Sequence, residues 1–120
     1  MGQSYRELLV WQKAMDLVTD IYNITKVFPR DEAFGLTSQL RRASIYVPTN
    51  IAEGQARYSP QEFHYFLGRA RGSLVEVETE IMIAHRLGLI TVGTKDQLLL
   101  RTTEIGKMIS GLAGSIRPAA

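Results

Sequence analysis

The chain is 120 residues long, 45% hydrophobic, free of cysteine, and carries a formal net charge of +2. That length suits one domain with its own apolar core. The lack of cysteine excludes disulfides, thiolate metal sites and cysteine nucleophiles, and fits a reducing compartment.

The pI of about 9.1 is mild beside the dense basic footprint of a dedicated nucleic-acid binder. Ten of the 14 basic residues are arginine, the side chain favoured for phosphate forks and interfacial ion pairs. No stretch approaches the roughly 20 apolar residues of a membrane span. The first residues carry charge from Arg6 onward, unlike the apolar core of a signal peptide, so the expectation is a cytoplasmic protein.

Four prolines punctuate the chain: Pro29 closes a first segment, Pro60 opens a third, Pro118 lies in the tail and Pro48 interrupts an apolar run. The first predicted helix covers about 7 to 27. Leu8, Trp11, Met15, Val18, Tyr22 and Thr25 step by three and four, with Ala14, Ile21 and Phe28 widening the stripe. That spacing predicts a helix packed on more than one neighbour, and Ser4 with Glu7 can form a capping box ahead of it.

The second predicted helix covers about 36 to 57, with Leu36, Leu40, Ala43, Val47, Ile51 and Gly54 in rhythm. Gly35 weakens helix locally, setting Asp31 to Phe34 apart as a turn. The third helix, 60 to 87, has the clearest start: Ser59 as N-cap, Pro60 at the first position, Glu62 in the capping-box place. Phe63, Leu67, Ala70, Leu74, Val77, Ile81 and Ala84 alternate four and three, which means near-parallel helix packing. Gly88 suits a C-cap. The fourth helix, 94 to 116, repeats the pattern through Leu98, Thr102, Ile105, Ile109, Leu112 and Ile116. No strand pattern occurs. The fold class is therefore all-α: a single-domain antiparallel up-down-up-down four-helix bundle.

Catalytic and metal chemistry is mostly rejected at this level. A di-iron bundle needs Glu-x-x-His pairs, but Gln61 precedes His64 and Met82 precedes His85. The two histidines lie about 31 Å apart along one helix. Glu76 and Glu80 share a face beside the third stripe, placed to meet arginines of a neighbouring helix or subunit, while Glu78 points elsewhere. There is no phosphate loop and no nucleophile elbow. The spacing of Gly68 and Gly72 predicts a close helix approach. No metal and no cofactor are expected.

The stretch Gln39 to Gly54, QLRRASIYVPTNIAEG, is the exception to ordinary amphipathic design. Arg41 shares a stripe with Ile45, Pro48 and Ala52; Arg42 shares one with Tyr46, Thr49 and Glu53. Pro48 removes a backbone hydrogen bond and bends the helix; Asn50 and Thr49 are placed to satisfy freed backbone groups or those of a neighbour. Two uses follow. In one, Arg41 or Arg42 pairs with Glu53, or with Glu76 and Glu80, setting partner geometry. In the other, Arg41, Arg42, Arg57, Arg69 and Arg71, opposed over that stretch only by Glu53 and Glu62, track a phosphate backbone. Tyr46, Tyr58 and Tyr65 would then stack on bases.

These residues resemble the bacterial 23S rRNA intervening-sequence proteins. The matching pieces are LLVWQKAMDL (8–17), VFP (27–29), GLTSQLRRASIYVPTNIAEG (35–54), SPQEFHYFLGRARGSLVEVETE (59–80) and IGKMISGL (105–112). The signature positions are Trp11, Gln39, Arg41, Arg42, Pro48, Asn50, Glu53 and Gly54. The resemblance implies an up-down four-helix bundle assembling into a ring-shaped homopentamer, and a reading frame set within an insertion in the large-subunit rRNA gene. It extends to the accessory variability proteins of diversity-generating retroelements, which are similar and bind nucleic acid and a reverse transcriptase. No catalytic role comes with it.

The leading expectation is a non-enzymatic oligomer that binds RNA or DNA through Arg41, Arg42, Arg57, Arg69 and Arg71. Arg42, Tyr46, Asn50 and Glu53 would border its subunits. The rival is a protein-interaction scaffold whose arginines serve subunit contacts, with another protein and no nucleic acid as partner.

Overall fold

A computed structural model describes residues 4–116; Pro118, read as part of the tail, lies outside the described residues. Four helices account for nearly all of that span: α1, Leu9–Thr25; α2, Leu36–Ala56; α3, Pro60–Arg86; α4, Val92–Ser115. No strand occurs among the described residues. Each helix packs on its sequence neighbours, and α4 closes the square against α1. The bonds between helices run in opposite registers, as antiparallel packing requires. Thr102 meets Glu78 while Ser110 meets Arg71, and Lys13 meets Glu104 while Asp20 meets Arg101. The bundle measures 47 × 24 × 23 Å.

Local chemistry sets the helix ends. Ser4 and Glu7 do form the expected capping box, but it closes a 3-10 turn over Tyr5–Glu7. Leu8 is then extended, so α1 begins at Leu9 rather than near residue 7. A second 3-10 turn, Arg30–Glu32, overlaps the start of the stretch Asp31 to Phe34 that Gly35 is expected to set apart. The Ser59 hydroxyl accepts from the Glu62 amide at the start of α3. Gly88 ends that helix with a positive φ of 75°. The Leu89 amide bonds the Ala84 carbonyl and the Gly88 amide bonds that of His85, which is the Schellman arrangement. Thr91 caps α4 through the Thr94 amide, two residues earlier than the apolar pattern alone indicated.

One continuous core joins Leu17, Ile21, Leu40, Val47, Ile51, Leu67, Leu74, Val77, Ile81, Ile105 and Ile109, together with the buried Ala14, Ala43, Ala70 and Ala84. The stripes of α2, α3 and α4 are those their spacing marked. The stripe of α1 is rotated: Val10, Ala14, Leu17, Ile21 and Thr25 are buried, whereas Trp11, Val18 and Tyr22 are only partly covered and Met15 is exposed. The reason is that α1 packs between α2 and α4, and its Trp11–Val18 edge lines an outer groove against Ile45, Pro48 and Ala52 of α2.

The glycine pair on α3 does not mediate close approach. A Cβ built at Gly68 or Gly72 meets nothing within 4 Å, because both lie on the outer face. The close contact is made by Gly54 of α2. A Cβ there would stand 2.6 Å from the Phe66 Cβ and 3.2 Å from the Phe63 Cδ1.

Candidate functional site

The seam between α2 and α3 carries Asn50, Arg57 and Arg69 in a chain of polar contacts. Pro48 sits inside α2, fully incorporated in the helix and buried. Having no N–H, it leaves the Ser44 carbonyl without its usual helical donor. The Asn50 amide does not turn back to that carbonyl; its Nδ2 donates to the Tyr46 carbonyl at 2.8 Å. Its Oδ1 faces α3 and accepts from the Arg69 Nε at 3.3 Å. Asn50 is thereby a buried polar bridge between the two helices, with donor and acceptor both engaged, as a buried amide needs.

Arg69 reaches further, donating from Nη1 to the Tyr65 hydroxyl at 3.3 Å. At the end of the seam Arg57 binds Glu53 at 2.7 Å and Glu62 at 3.4 Å, with its guanidinium over the Phe66 ring. The hydrogen bond to Glu53 is the main reason its proton is held above the ordinary arginine value; partial desolvation opposes this, and the charges of Glu53 and Glu62 add to it. Arg42 and Tyr46 are exposed and line a hollow with Gln39 and Glu76. Arg42 makes no hydrogen bond or ion pair among the described residues.

The two remaining arginines face other seams. Arg41 points toward α1: its Nε donates to the Thr25 hydroxyl at 2.8 Å and its guanidinium lies 4.4 Å from the Tyr22 ring centroid. Arg71 points toward α4 and donates to the Ser110 hydroxyl at 2.9 Å. The five arginines therefore spread over three seams, because successive helical positions diverge by about 100°. The seam of α2 and α3 holds Arg42, Arg57 and Arg69 together with Tyr46 and Tyr65, while Tyr58 stands fully exposed in the connecting loop.

The carboxylate pairings expected for Arg41 and Arg42 do not form. Arg41 has a hydroxyl and a ring instead, and Glu53 is taken by Arg57, four residues on and one helical turn away. Nor does an arginine meet Glu80 among the described residues. Glu80 is 7% exposed and its Oε1 accepts no hydrogen bond among the described residues. Burial, then the neighbouring Glu76, push its carboxyl up to about 7. The one sequence signal for it is position: Glu80 follows Val77 by three residues and precedes Ile81 directly, at the edge of the apolar stripe. Glu78 turns to the opposite seam, where its Oε2 accepts from the buried Thr102 hydroxyl at 2.8 Å.

No group of three or more His, Cys, Asp or Glu is placed to hold a metal ion among the described residues. None of the described helices is long and apolar enough to cross a membrane.

Comparison with known proteins adds a family and a fold. The family model described as 23S rRNA-intervening sequence protein matches residues 6–111. Among solved structures, the chain is similar to a protein with unknown function from the S23 ribosomal protein family of Bacteroides thetaiotaomicron. The TM-score is 0.81 at 23% identity, over 88% of this chain and 98% of that one. No curated protein matches the chain.

Proposed function

We propose a role that starts from family: this chain belongs to the 23S rRNA-intervening sequence protein family, and we read it as a non-enzymatic, cytoplasmic binder of RNA or DNA. The observation that carries this reading is the state of the arginines. Arg42, Arg69 and Arg71 are exposed and none is engaged by a carboxylate. Among the described residues only Arg57 of the five is neutralised, by Glu53 and Glu62. Exposed guanidinium groups without acidic partners suit phosphate oxygens, which accept from the same planar fork. Tyr65 beside Arg69, and Tyr46 beside Arg42, offer ring faces for unpaired bases. Such contacts position a backbone and read little sequence.

The test is salt-dependent binding to single-stranded and duplex RNA and DNA. Replacing Arg42 and Arg69 together by Glu should weaken binding and lower the slope of log K against log salt by roughly 1.4 to 1.8, since each phosphate contact contributes about 0.7 to 0.9. If wild-type chain binds none of these polymers at low salt, the reading fails.

A second reading is favoured by the apolar groups left outside the bundle, among them Leu9, Met15, Ile45, Tyr46, Val75 and Ile83. In it the chain is a subunit of a homo-oligomer, a pentamer on the family resemblance, with Arg42, Tyr46 and Glu53 between subunits, Asn50 being buried within the chain, and a protein-scaffold role. Arg42→Ala should then shift the assembly toward monomer in light scattering; an unchanged assembly would reject that arrangement.

A further inference from the structure

On the bundle's outer surface, toward the α3 C-terminus, a groove of about 460 Å³ runs between α2 and α3. Its walls are Leu36 and Gln39 from α2, Val75 and Ile83 from α3 and Leu87 just past the end of α3, with Glu76 and Glu80 along the α3 side. Val75, Ile83 and Leu87 are 46%, 42% and 59% exposed, so the apolar wall is open to a visitor. Glu32 also reaches the groove but is committed to the chain itself, accepting from the Leu36 amide at the start of α2. Glu76 and Glu80, one helical turn apart, have no cationic partner among the described residues. Arg42 lies in the adjoining hollow beside Glu76 without forming a pair.

A buried carboxylate whose oxygen accepts nothing costs free energy unless something completes it. We propose that the groove between α2 and α3 is the docking site of an arginine-bearing segment of a partner protein. Its guanidinium would be received by Glu80 and Glu76, and its flanking aliphatic side chains by Val75, Ile83 and Leu87.

Charge complementarity selects this occupant. The protein is net positive, yet this groove holds three carboxylates and no basic residue lines it among the described residues. Guanidinium is preferred over ammonium because it is weakly hydrated and forks onto two oxygens, so it tolerates an apolar cleft. A metal ion is disfavoured, as these carboxylates do not form a group that could hold one. The terminal torsion of a glutamate is broad, so Oε1 turns toward an incoming donor without rebuilding the helix. The raised proton affinity of Glu80 fits the same picture: its carboxyl lacks the cation that would favour its charged form.

The experiment measures binding of two short blocked helical peptides to the full chain by fluorescence polarisation. One carries an arginine flanked by leucines at helical spacing; the other has glutamine in its place. Amide chemical shifts at Gln39, Val75, Glu76 and Thr79 report where the peptide sits. The arginine peptide should bind at this groove, at least tenfold more tightly than the glutamine peptide, and Glu80→Gln should erase that preference, given what charge-assisted hydrogen bonds contribute when shielded from water. Glu104→Gln, on the face toward α1, should leave it unchanged. Equal affinity for the two peptides, shifts located elsewhere, or indifference to Glu80→Gln would overturn the proposal. So would self-association of the chain without peptide that Glu80→Gln abolishes, since the occupant would then be a second copy.

Discussion

Replacing Gly54 by Ala tests how closely α2 and α3 are held. The added Cβ would lie 2.6 Å from the Phe66 Cβ, 3.2 Å from the Phe63 Cδ1 and 3.4 Å from the Phe63 carbonyl oxygen. Carbon atoms rest about 3.5 to 4.0 Å apart, so α2 and α3 would have to separate by about 1 Å. No rotamer change relieves the contact, because the Phe66 Cβ moves only with its own backbone. Such overpacking costs about 1–3 kcal/mol. Alanine recovers about 1 kcal/mol of helix propensity, leaving a net loss of up to about 2 kcal/mol. Gly68→Ala is the matched control: the same change in the interior of α3 meets nothing within 4 Å and should gain up to about 1 kcal/mol. At roughly 4 °C per kcal/mol for a chain of this size, thermal unfolding followed by circular dichroism should show Gly54→Ala lowered and Gly68→Ala raised. A Gly54→Ala protein at least as stable as wild type would refute the close packing of these two helices.

Glu80 makes stability depend on pH. Its folded carboxyl is raised by burial and then by Glu76 from 4.5 to about 7, so the folded chain keeps a proton that the unfolded chain releases. Its contribution to stability is intact below pH 4.5 and falls as the pH climbs to about 7, by about 3 kcal/mol at about 1.4 kcal/mol per tenfold change in proton affinity. Glu76 on α3 and Glu32 from the turn before α2 share its groove, while α2 contributes the neutral Gln39. Urea midpoints from pH 4 to 8 should decline for wild type, and Glu80→Gln should flatten the decline; parallel curves would refute the assignment. Thr102→Val removes the buried hydroxyl that serves the Glu78 carboxylate at 2.8 Å and the Leu99 carbonyl at 3.0 Å. It should cost about 1–2 kcal/mol in urea unfolding, and a neutral result would show that the carboxylate finds another donor.

The four rods were legible because each carries its apolar residues at three- and four-residue steps, and that rhythm survives whatever the neighbours are. The rotation of α1 was not legible. Its sequence offers two overlapping stripes, one through Trp11 and Val18 and one through Ala14 and Ile21, and only the position of α4 chooses between them. The glycine contact was misplaced for a related reason. Gly68 and Gly72 have the spacing of a close approach, but spacing does not say whether a helix stands opposite; one stands opposite Gly54.

The candidate site divides along the same line. The sequence by itself determined that arginines, tyrosines and an Asn–Glu pair cluster around Pro48, and that no cysteine is present. It also determined the family signature, since all of these are properties of residue identity and order. The tertiary structure alone decided which charges are answered. Arg57 finds Glu53 and Glu62, Arg41 finds Thr25 and Tyr22, and Arg69 finds Asn50 and Tyr65; the Glu80 Oε1 finds no donor among the described residues. Pairing is a matter of a few ångströms between side chains on different helices, and the register of one rod against the next sets that distance. Periodicity within a single rod specifies which face is apolar but leaves that register to the packing of the whole bundle.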